Sequence, residues 1–490
     1  MSPSRPAAVV ILAAGEGTRM KSAVPKVLHP LCGRSMLGHA LAATRELSPQ
    51  RLVVVVGHRR DEVTAHIAAE APEAEVVVQD RQGGTGHAVR TVIEAIGLIE
   101  GQVIVTYGDM PLLRGSTLDE LAREHERARN MVTVLTAEVD DPGGYGRIVR
   151  DSSGAISEIV EETDATAGQR LILEINSGCY AFDGALLADA IKRIAAGNLL
   201  GQEYLTDVVA ILRGDGHRVG TLPAADPSEI QGVNDRAQLA VARRLYNDRL
   251  LEYWMRAGVT IVDPATTWFD VGVTLEPDAE VGPSTQLEGR TVLAAGARVG
   301  PGCVLRDTTV GPGATVINAV CDSAEIGARA SVGPFTYLRP GTRLGPGTRA
   351  GSYVEMKNAV VGEDSKVPHL TYVGDADIGT GSNIGAATVF ANYDGVAKHH
   401  TTVGDHVRIG SDTMLVAPVE VGDGAYTAAG SVITEDVPPG ALAIGRASQH
   451  TVPGWVRRRR PGTPSAAAAE AADDAEAAQG KEGPSEGVTQ

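Results

Sequence analysis

Two basic residues and one acidic residue in the first half of the chain could act on phosphates. Arg19 and Lys26 follow the apolar run at residues 8–14. Their guanidinium and ammonium groups can neutralise phosphate oxygens, and small residues such as Gly15 let backbone N–H groups approach a phosphate chain. Asp109 ends another apolar run and is either a helix cap or a ligand for Mg2+, which prefers oxygen ligands. Together these residues predict a site that acts on phosphates. The alternative is that Arg19 and Lys26 are solvated surface cations beside a glycine turn.

One histidine in the second half is placed to act as a base. His369 lies two residues after Val367, a position that the repeat described below directs inward, so its imidazole should project outward. Histidine suits proton transfer near neutral pH because its ordinary pKa lies there. An exposed histidine without a function is the alternative. Arg339 and Lys357, taken singly, also fit solvated charges on an outer face.

The second half of the chain carries a hydrophobic repeat of six residues, which runs from Leu275 to Ile433. An α-helix repeats at about 3.6 residues and a strand at about two, so period six predicts one short strand and one tight turn per repeat. Such coils cannot bury a core singly and must stack, which predicts a parallel β-helix. The series breaks between Leu344 and Val361 and between Phe390 and Val403, and we expect functional loops there.

Apolar strands alternate with helical segments in the first half. Strands are predicted at residues 8–14, 52–56, 76–78 and 103–106, and helices at 37–46 and 61–69. The alternation predicts a mostly parallel, doubly wound α/β sheet that binds its ligand beyond the carboxyl ends of the strands. Residues 235–257 lack Pro and Gly and carry one apolar stripe. They predict a rigid helical arm with Asp235 as N-cap and Gly258 just after its end.

The composition excludes several classes of protein. The 490 residues carry a net charge of −17, which argues against a general nucleic-acid binder. No apolar run approaches the ~20 residues of a membrane span, and the N-terminus lacks the apolar core of a signal peptide. Cys32, Cys179, Cys303 and Cys321 form no CxxC motif, so no zinc site or disulfide framework is expected. We predict a cytoplasmic protein that neither binds nucleic acid nor inserts into a membrane.

The segment LAAGEGTRM, followed by Pro25-Lys26-Val27-Leu28, resembles the signature of the sugar-1-phosphate nucleotidyltransferases. The resemblance implies a Rossmann-like domain in which a sugar-1-phosphate oxygen attacks the α-phosphorus of a nucleoside triphosphate and releases pyrophosphate. It implies that Arg19 and Lys26 are catalytic and that Asp109 and Asn234 bind Mg2+. The implied site for UTP and the sugar nucleotide comprises Leu12, Ala13, Ala14, Gly15, Lys26, Gln79, Gly84, Thr85, Tyr107, Gly108, Asp109, Gly146, Glu161, Asn176 and Asn234.

The second half resembles the left-handed β-helix acyltransferases, which are trimers built from six-residue repeats. The segments KVPHLTYVGDA at residues 366–376, GSNIGA at 381–386 and ANYDG at 391–395 narrow the likeness. Over residues 7–450, the two halves together resemble the bacterial family that combines N-acetylglucosamine-1-phosphate uridyltransferase with glucosamine-1-phosphate acetyltransferase.

This second resemblance implies a homotrimeric cytoplasmic enzyme that makes UDP-N-acetylglucosamine for the peptidoglycan cell wall. It would acetylate glucosamine 1-phosphate with acetyl-CoA and then couple the product to UTP, with Mg2+ in the first domain only. His369 would be the general base that deprotonates the sugar amine. The implied ligands of glucosamine 1-phosphate are Arg339, Lys357, Tyr372, Asn383 and Lys398, and those of acetyl-CoA are Ala386, Asn392, Tyr393, Ser411, Ala429 and Arg446.

The chain is expected to comprise four parts. We expect a uridyltransferase domain at residues 1–235, a helical linker at 236–258, a left-handed β-helix acetyltransferase domain at 259–455 and a disordered tail at 456–490. Two other functions are considered: nucleotidyl transfer alone with the β-helix as a platform, and a scaffold whose sites are dead. His369 and Asn392-Tyr393 discriminate, because a platform needs neither.

Overall fold

The first domain is built around a mixed nine-stranded sheet. The computed structural model describes residues 5–194 and 201–479, to which all structural statements below refer. The strands of this domain are β1 (Ala8–Ala13), β2 (Pro30–Leu31), β3 (Arg34–Ser35), β4 (Arg51–Val56), β5 (Glu75–Val78), β6 (Gln102–Tyr107), β7 (Val132–Glu138), β8 (Arg147–Arg150), β9 (Ile156–Val160), β10 (Glu174–Asp183) and β11 (Val219–Pro223). The helices are α1 (Met36–Arg45), α2 (Arg60–Glu70), α3 (Thr85–Ile96), α4 (Gly115–Ala128), α5 (Gly184–Ala190) and α6 (Asp207–Gly214).

Helices cover both faces of this sheet, whose main order is β11-β7-β10-β6-β1-β4-β5. The central pairs β6–β1, β1–β4 and β4–β5 are parallel, while β10 is antiparallel to its neighbours. Side chains of a strand alternate between faces. Val10 therefore packs in the same core as Val89 of α3, whereas Val9 packs in the core that contains Leu37 of α1 and Leu118 of α4. The prediction of a doubly wound α/β domain is confirmed.

The predicted helical arm is α7 (Arg236–Arg256). The Asp235 side chain accepts a hydrogen bond from the Gln238 N–H, which confirms the N-cap, and Gly258 follows the helix with φ of +96°. The helix is more than a spacer, because it packs on both domains. Leu239 joins a core with residues of the first domain, and the buried Asn247 binds the backbone of the first β-helix coil.

The remaining strands form the predicted parallel β-helix. They are β12 (Thr260–Ile261), β13 (Trp268–Phe269), β14 (Thr274–Leu275), β15 (Glu280–Val281), β16 (Gln286–Glu288), β17 (Val292–Leu293), β18 (Arg298–Val299), β19 (Val304–Arg306), β20 (Thr309–Val310), β21 (Thr315–Val316), β22 (Ala319–Asp322), β23 (Glu325–Ile326), β24 (Ser331–Val332), β25 (Thr336–Leu338), β26 (Arg343–Leu344), β27 (Arg349–Ser352), β28 (Glu355–Val361), β29 (Lys366–His369), β30 (Tyr372–Ile378), β31 (Asn383–Ile384), β32 (Val389–Ala391), β33 (Thr401–Val403), β34 (Arg408–Ile409), β35 (Met414–Val416), β36 (Val419–Val421), β37 (Tyr426–Thr427), β38 (Val432–Ile433) and β39 (Leu442–Ala443). Val281 pairs with Val299, the third aliphatic of the series after it, so one coil holds three six-residue repeats.

The inward aliphatic residues form one continuous core along the β-helix axis. The turns between strands need glycine where coils approach closely. Gly333 has φ of +103°, and a β-carbon there would collide with the carbonyl oxygen of Ile317 in the previous coil. Only glycine removes both the steric overlap and the cost of the left-handed backbone. The repeat thus encodes both the core and the corners.

One of the two predicted breaks in the repeat is not a loop. Between Leu344 and Val361, strands β27 and β28 continue the coil, and Ala350 and Met356 occupy the inward positions. The prediction of a loop there is wrong, because alanine and methionine fill the core where the pattern required Val, Ile or Leu. The other break does contain an insertion, a loop at residues 392–400 between β32 and β33.

The prediction of a disordered tail from residue 456 is wrong as far as Gln479. The chain forms α8 (Trp455–Arg459) and α9 (Pro464–Gln479), which contact each other. The tail lacks large apolar residues, but alanine has the highest helix propensity, and α9 consists mostly of Ala, Glu and Asp. Residues 480–490 of the predicted tail lie outside the described residues. No helix in the described residues is long and apolar enough to cross a bilayer.

We predict that Asn247→Ala loosens the joint between α7 and the β-helix. The Asn247 side chain donates to the Thr267 carbonyl oxygen at 2.8 Å and accepts from the Phe269 N–H at 2.9 Å. The substitution leaves both buried backbone groups unpaired, which should lower the free energy of unfolding by about 2–5 kcal/mol. Hydrogen exchange should then show lost protection at the Phe269 amide. Arg256→Ala, at an exposed position of the same helix, is the control and should change neither quantity.

Candidate active sites

The first candidate site is a cleft of about 380 Å3 at the carboxyl ends of β1, β5 and β6. This position follows from the parallel sheet, where the turns after neighbouring strands meet at one edge. Its lining includes eleven of the predicted nucleotide-site residues: Leu12, Ala13, Ala14, Gly15, Lys26, Gln79, Gly84, Thr85, Tyr107, Asp109 and Glu161. Sequence reasoning did not assign Val27, Gln82, Ala88, Gln202, Tyr204 and Thr206 to the site, although they also line it; of these, only Val27 stands in a motif that was recognised in the sequence.

Lys26 joins the two predicted metal ligands. Its Nζ lies 2.5 Å from Asp109 Oδ2 and 2.7 Å from Asn234 Oδ1. An ammonium group only donates, so the amide oxygen of Asn234 faces this point. The Val233 N–H donates to the Asp109 carbonyl oxygen at 2.9 Å and holds the two loops together. Two oxygen ligands thus converge on one cationic position, although the described residues contain no cluster of three or more His, Cys, Asp or Glu.

The glycine turn after β1 packs directly on Lys26. Gly17 has φ of +65°, and a β-carbon at this position would collide with the Lys26 side chain. Residues Thr18–Met20 form a 3-10 turn that buries Met20 and leaves Arg19 exposed. In the described residues, the Arg19 guanidinium has no hydrogen bond or ion pair. Its donors are therefore free to bind an anion at the edge of the cleft.

The opposite wall of the cleft is fixed by side chains that bind backbone. Gln79 Nε2 donates to the Gly84 carbonyl oxygen at 3.1 Å, and Thr85 Oγ1 accepts from the Leu205 N–H at 3.0 Å. Burial raises the pKa of Tyr107 and also that of Glu161, although Thr206 donates a hydrogen bond to the Glu161 carboxylate.

Five of the predicted residues, Arg19, Gly108, Gly146, Asn176 and Asn234, lie beside the cleft rather than in its lining. Gly108 donates its N–H to the Leu12 carbonyl oxygen at 3.0 Å. Asn176 donates to the Tyr180 hydroxyl and accepts from the Gly178 N–H, so its side chain supports the strand beneath the site. A β-carbon at Gly146 would lie 3.4 Å from Glu161 Oε2, which leaves this position close to the cleft wall.

The second candidate site is a cluster of cations on the β-helix. Lys357 of β28 and Lys398 of the inserted loop are close enough for their ammonium groups to interact directly, and this interaction chiefly lowers the pKa of Lys357. Arg339 adds a further positive charge that lowers the same pKa, while its own guanidinium binds Glu355 at 2.8 Å. Like charges repel, so this arrangement is suited to an anion that neutralises them.

A carboxylate that sequence reasoning missed supports the cations. Asp375 accepts hydrogen bonds from Asn358 at 2.8 Å and from Asn392 at 2.5 Å. Burial would raise the pKa of Asp375, but these two bonds and the charges of Lys357 and Lys398 lower it overall. Asp375 stands in the segment VGDA, which contributes to the family resemblance but implies no role for this residue. Asp375 was therefore visible in the sequence, but nothing in the sequence indicated that it has a function.

Tyr372 and Asn392 meet beside these cations. Gly374 lies between them, and a β-carbon there would be 2.7 Å from Asn392 Nδ2 and would collide with the Tyr372 hydroxyl. The glycine therefore leaves room for the hydroxyl and amide groups on the outer face of β30. Of the predicted sugar-phosphate ligands, Arg339, Lys357, Tyr372 and Lys398 are grouped in this region.

His369 ends β29 and projects outward, as predicted. Its side chain is exposed and has no hydrogen bond in the described residues, while its carbonyl oxygen accepts from Thr371 Oγ1 at 2.7 Å and from the Ala387 N–H at 3.2 Å. Asn383 is half-buried on β31, the next strand of the same sheet. Lys357 belongs to the other sheet and Lys398 to the inserted loop, so a single chain presents His369 and the cation cluster on different faces.

Four of the six predicted acetyl-CoA ligands, Ala386, Ser411, Ala429 and Arg446, lie along one corner of the β-helix. The Asp412 N–H donates to the Ala386 carbonyl oxygen at 2.7 Å, and the Gly430 N–H donates to the Ser411 carbonyl oxygen at 2.9 Å. Ala429 and Arg446 continue the corner in the next coils, where Arg446 passes beside Gly430. Tyr393 lies apart from this corner, in the inserted loop, with its hydroxyl bound to Gly395.

Comparison with known proteins covers both halves of the chain. Residues 9–177 match the model of the MobA-like NTP transferase domain, and residues 400–435 match the model of the bacterial transferase hexapeptide, six repeats. The chain is 63% identical to the bifunctional protein GlmU of Streptomyces avermitilis over 472 residues, which cover 96% of this chain and 98% of that protein. It is 62% identical to the bifunctional protein GlmU of Thermobifida fusca over 474 residues, with coverages of 96% and 98%.

We predict that Lys398→Met makes the Lys357 amine less reactive. Removal of the neighbouring ammonium should raise the pKa of Lys357, so a smaller fraction is neutral and nucleophilic at a given pH. The neutral fraction falls about tenfold for each unit by which the pKa rises. Competitive acetylation with acetic anhydride across pH, read by mass spectrometry, measures this fraction. Lys366 on β29 is the internal control, and equal labelling of Lys357 in both proteins would contradict the prediction.

Proposed function

The chain belongs to the family of bifunctional GlmU proteins, and we propose that it makes UDP-N-acetylglucosamine by two transfer reactions at two separate sites. The β-helix acetylates glucosamine 1-phosphate with acetyl-CoA, and the first domain then joins N-acetylglucosamine 1-phosphate to UTP. The observation that carries this proposal is the cation cluster of Lys357, Lys398 and Arg339 on the β-helix. A platform that only supported the first domain would gain nothing from positive charges held against one another.

Acetyl transfer needs a bound phosphate and a base. We assign Arg339, Lys357 and Lys398 to the phosphate of glucosamine 1-phosphate, with Tyr372 and Asn383 on its sugar. His369 takes a proton from the sugar amine, whose nitrogen attacks the thioester carbonyl; the carbon–sulfur bond breaks, and the thiol of coenzyme A leaves. The exposed corner of Ala386, Ser411, Ala429 and Arg446, together with Asn392 and Tyr393, is assigned to acetyl-CoA.

Uridylyl transfer needs charge neutralisation rather than a covalent intermediate. We assign Lys26 and Arg19 to the phosphates of UTP and of the sugar phosphate. A sugar-phosphate oxygen attacks the α-phosphorus while the bond to the β-phosphate oxygen breaks, and pyrophosphate leaves. The remaining lining residues and Gly108, Gly146 and Asn176 bind or support the nucleotide and sugar.

Mg2+ is part of this proposal. Asp109 and Asn234 would hold it, because their oxygens already converge on the ammonium of Lys26, and carboxylate and amide oxygens suit this ion. When bound, the ion neutralises negative charge on the phosphates. Water and substrate oxygens would complete its ligands, which agrees with a site that offers only two side chains. Lys26 orients both ligands, and its ammonium group would be available to a phosphate when the ion is bound.

The proposal includes a homotrimer in the cytoplasm. Phe335, Tyr353 and Leu370 form an apolar row on one corner of the β-helix, with exposed fractions of 57%, 60% and 60%. Each has φ between +52° and +59°, an uncommon backbone conformation for a bulky residue. Neighbouring subunits would cover this row, which begins beside His369. The same contact would bring the His369 of one subunit towards the cations of another, which a single chain holds on a different face.

Two substitutions test the two-site function. With glucosamine 1-phosphate, acetyl-CoA, UTP and Mg2+ present, His369→Ala should lower thiol release by about 10²–10⁴-fold, since general-base catalysis contributes this much. Asp109→Asn should lower pyrophosphate release from UTP, with N-acetylglucosamine 1-phosphate added as the acceptor, by about 10²-fold or more. Thiol and pyrophosphate are followed in separate assays.

Each variant is the control for the other. His369→Ala should still release pyrophosphate when N-acetylglucosamine 1-phosphate is supplied, and Asp109→Asn should still release thiol. Loss of both reactions from either folded variant would refute separate sites. Unchanged thiol release in His369→Ala would remove the assigned base.

A third substitution tests the trimer. Tyr353→Asp places a charge in the exposed apolar row, so the assembly should dissociate to a smaller species in sedimentation. Thiol release should fall with it, whereas pyrophosphate release should remain because Lys26, Asp109 and Asn234 belong to one chain. Val432→Asp, at an exposed position of the last full coil, is the matched control. A Tyr353→Asp protein that sediments like the wild type would contradict the role of this row.

A further inference from the structure

The first turn of α7 carries a reciprocal capping arrangement beside the first active site. The Gln238 N–H donates to Asp235 Oδ1 at 2.8 Å, and Gln238 Oε1 accepts from the Asn234 N–H at 2.7 Å. This pair of bonds resembles a capping box, in which the N-cap side chain accepts from the N3 backbone N–H and the N3 side chain returns to the N-cap backbone N–H; here the return bond reaches one residue further back. Here the backbone that it returns to belongs to Asn234.

The bond from Asn234 to Gln238 restrains a residue that faces the metal position. The Asn234 amide oxygen lies 2.7 Å from Lys26 Nζ, the point on which Asp109 also converges. The Asn234 side chain has two rotatable bonds, so its oxygen can be held there only if its own backbone is held. Gln238 supplies that restraint from an exposed position outside the cleft.

The first turn of α7 also contacts other parts of the site. Arg236 Nε donates to the Met20 carbonyl oxygen at 3.2 Å, directly after Arg19. Met20, Val233 and Leu239 pack in one core, so the glycine turn, the Asn234 loop and the helix are packed against one another. At its middle, α7 is bound to the first β-helix coil through Asn247. The arm therefore connects the β-helix to the geometry of the uridyltransferase site.

We propose that Gln238 is a positioning residue for uridylyl transfer, which holds Asn234 in place to bind the divalent cation. The inference rests on the proposed function, since that function assigns Asn234 to the metal. Groups that orient metal ligands typically change metal affinity about 10–100-fold when removed. Because Gln238 is exposed, the lower end of this range is expected.

The test compares Gln238→Met with Gln238→Glu in the full-length protein. Methionine retains length and helix propensity but lacks the oxygen acceptor, whereas glutamate retains an acceptor at the same place. Mn2+ binding, measured by water-proton relaxation, should weaken about tenfold in Gln238→Met, and the Mg2+ concentration for half-maximal pyrophosphate release should rise in parallel. Gln238→Glu should restore both. Thiol release should stay at the wild-type rate in both variants.

Controls separate positioning from helix stability and from the metal assignment itself. Val241→Met, at an exposed position one turn further along α7, should leave Mn2+ binding unchanged. A Gln238→Met protein that loses thermal stability but binds Mn2+ normally would overturn the inference, and so would a Gln238→Glu protein as impaired as Gln238→Met. Asn234→Ala tests the premise: normal Mn2+ binding and pyrophosphate release in that variant would refute the metal assignment of the proposed function instead.

Discussion

The structure depends on one constraint, which is that a six-residue repeat can bury only a single large side chain. Each short strand contributes one aliphatic group to the axis, and the core exists only because coil stacks on coil. Small residues such as Thr285 and Ala297 fill the remaining inward positions, and the other side chains of a coil face outward. Chemistry on such a scaffold must therefore be assembled from side chains of successive coils, which the parallel register holds at fixed spacing. Lys357, Asp375 and Asn392 are brought together in this way.

Charge is arranged differently in the two sites. In the first domain, Lys26 is paired with Asp109 within the cleft, so this cation is neutralised before an anion enters. On the β-helix, Lys357 and Lys398 face each other, and Asp375 behind them compensates only in part. Two amides orient the Asp375 carboxylate and leave the ammonium groups outward. The cation cluster is therefore suited to attract a phosphate. In the first cleft, bound phosphate and Mg2+ would replace the existing contacts of Lys26 with Asp109 and Asn234.

The helix between the domains joins them mechanically as well as covalently. Its first turn binds the loop of Asn234 and its middle binds the first coil. A helix transmits position along its length because its backbone hydrogen bonds keep it stiff. The two reactions can be chemically independent while the geometry of the first site still depends on how this helix is seated.

The sequence alone determined the parts that are local in the chain. Period six specified the β-helix, because the inward side chain recurs whatever the neighbouring coil contains. Strand and helix alternation specified the first domain, and Asp235 specified the start of α7. The motifs, read through the family likeness, also selected most of the residues that line the first cleft and cluster on the β-helix.

Only the tertiary structure decided contacts between distant segments. Ala350 and Met356 continue the core through a stretch that the aliphatic pattern assigned to a loop, because packing accepts any apolar group of suitable size. Alanine in the tail forms a helix through backbone propensity, which a hydrophobic-core argument cannot detect. The role of Asp375 and the link from Gln238 to Asn234 arise from side-chain hydrogen bonds whose partners no repeat or composition specifies. Those bonds form only where folding places donor and acceptor within reach.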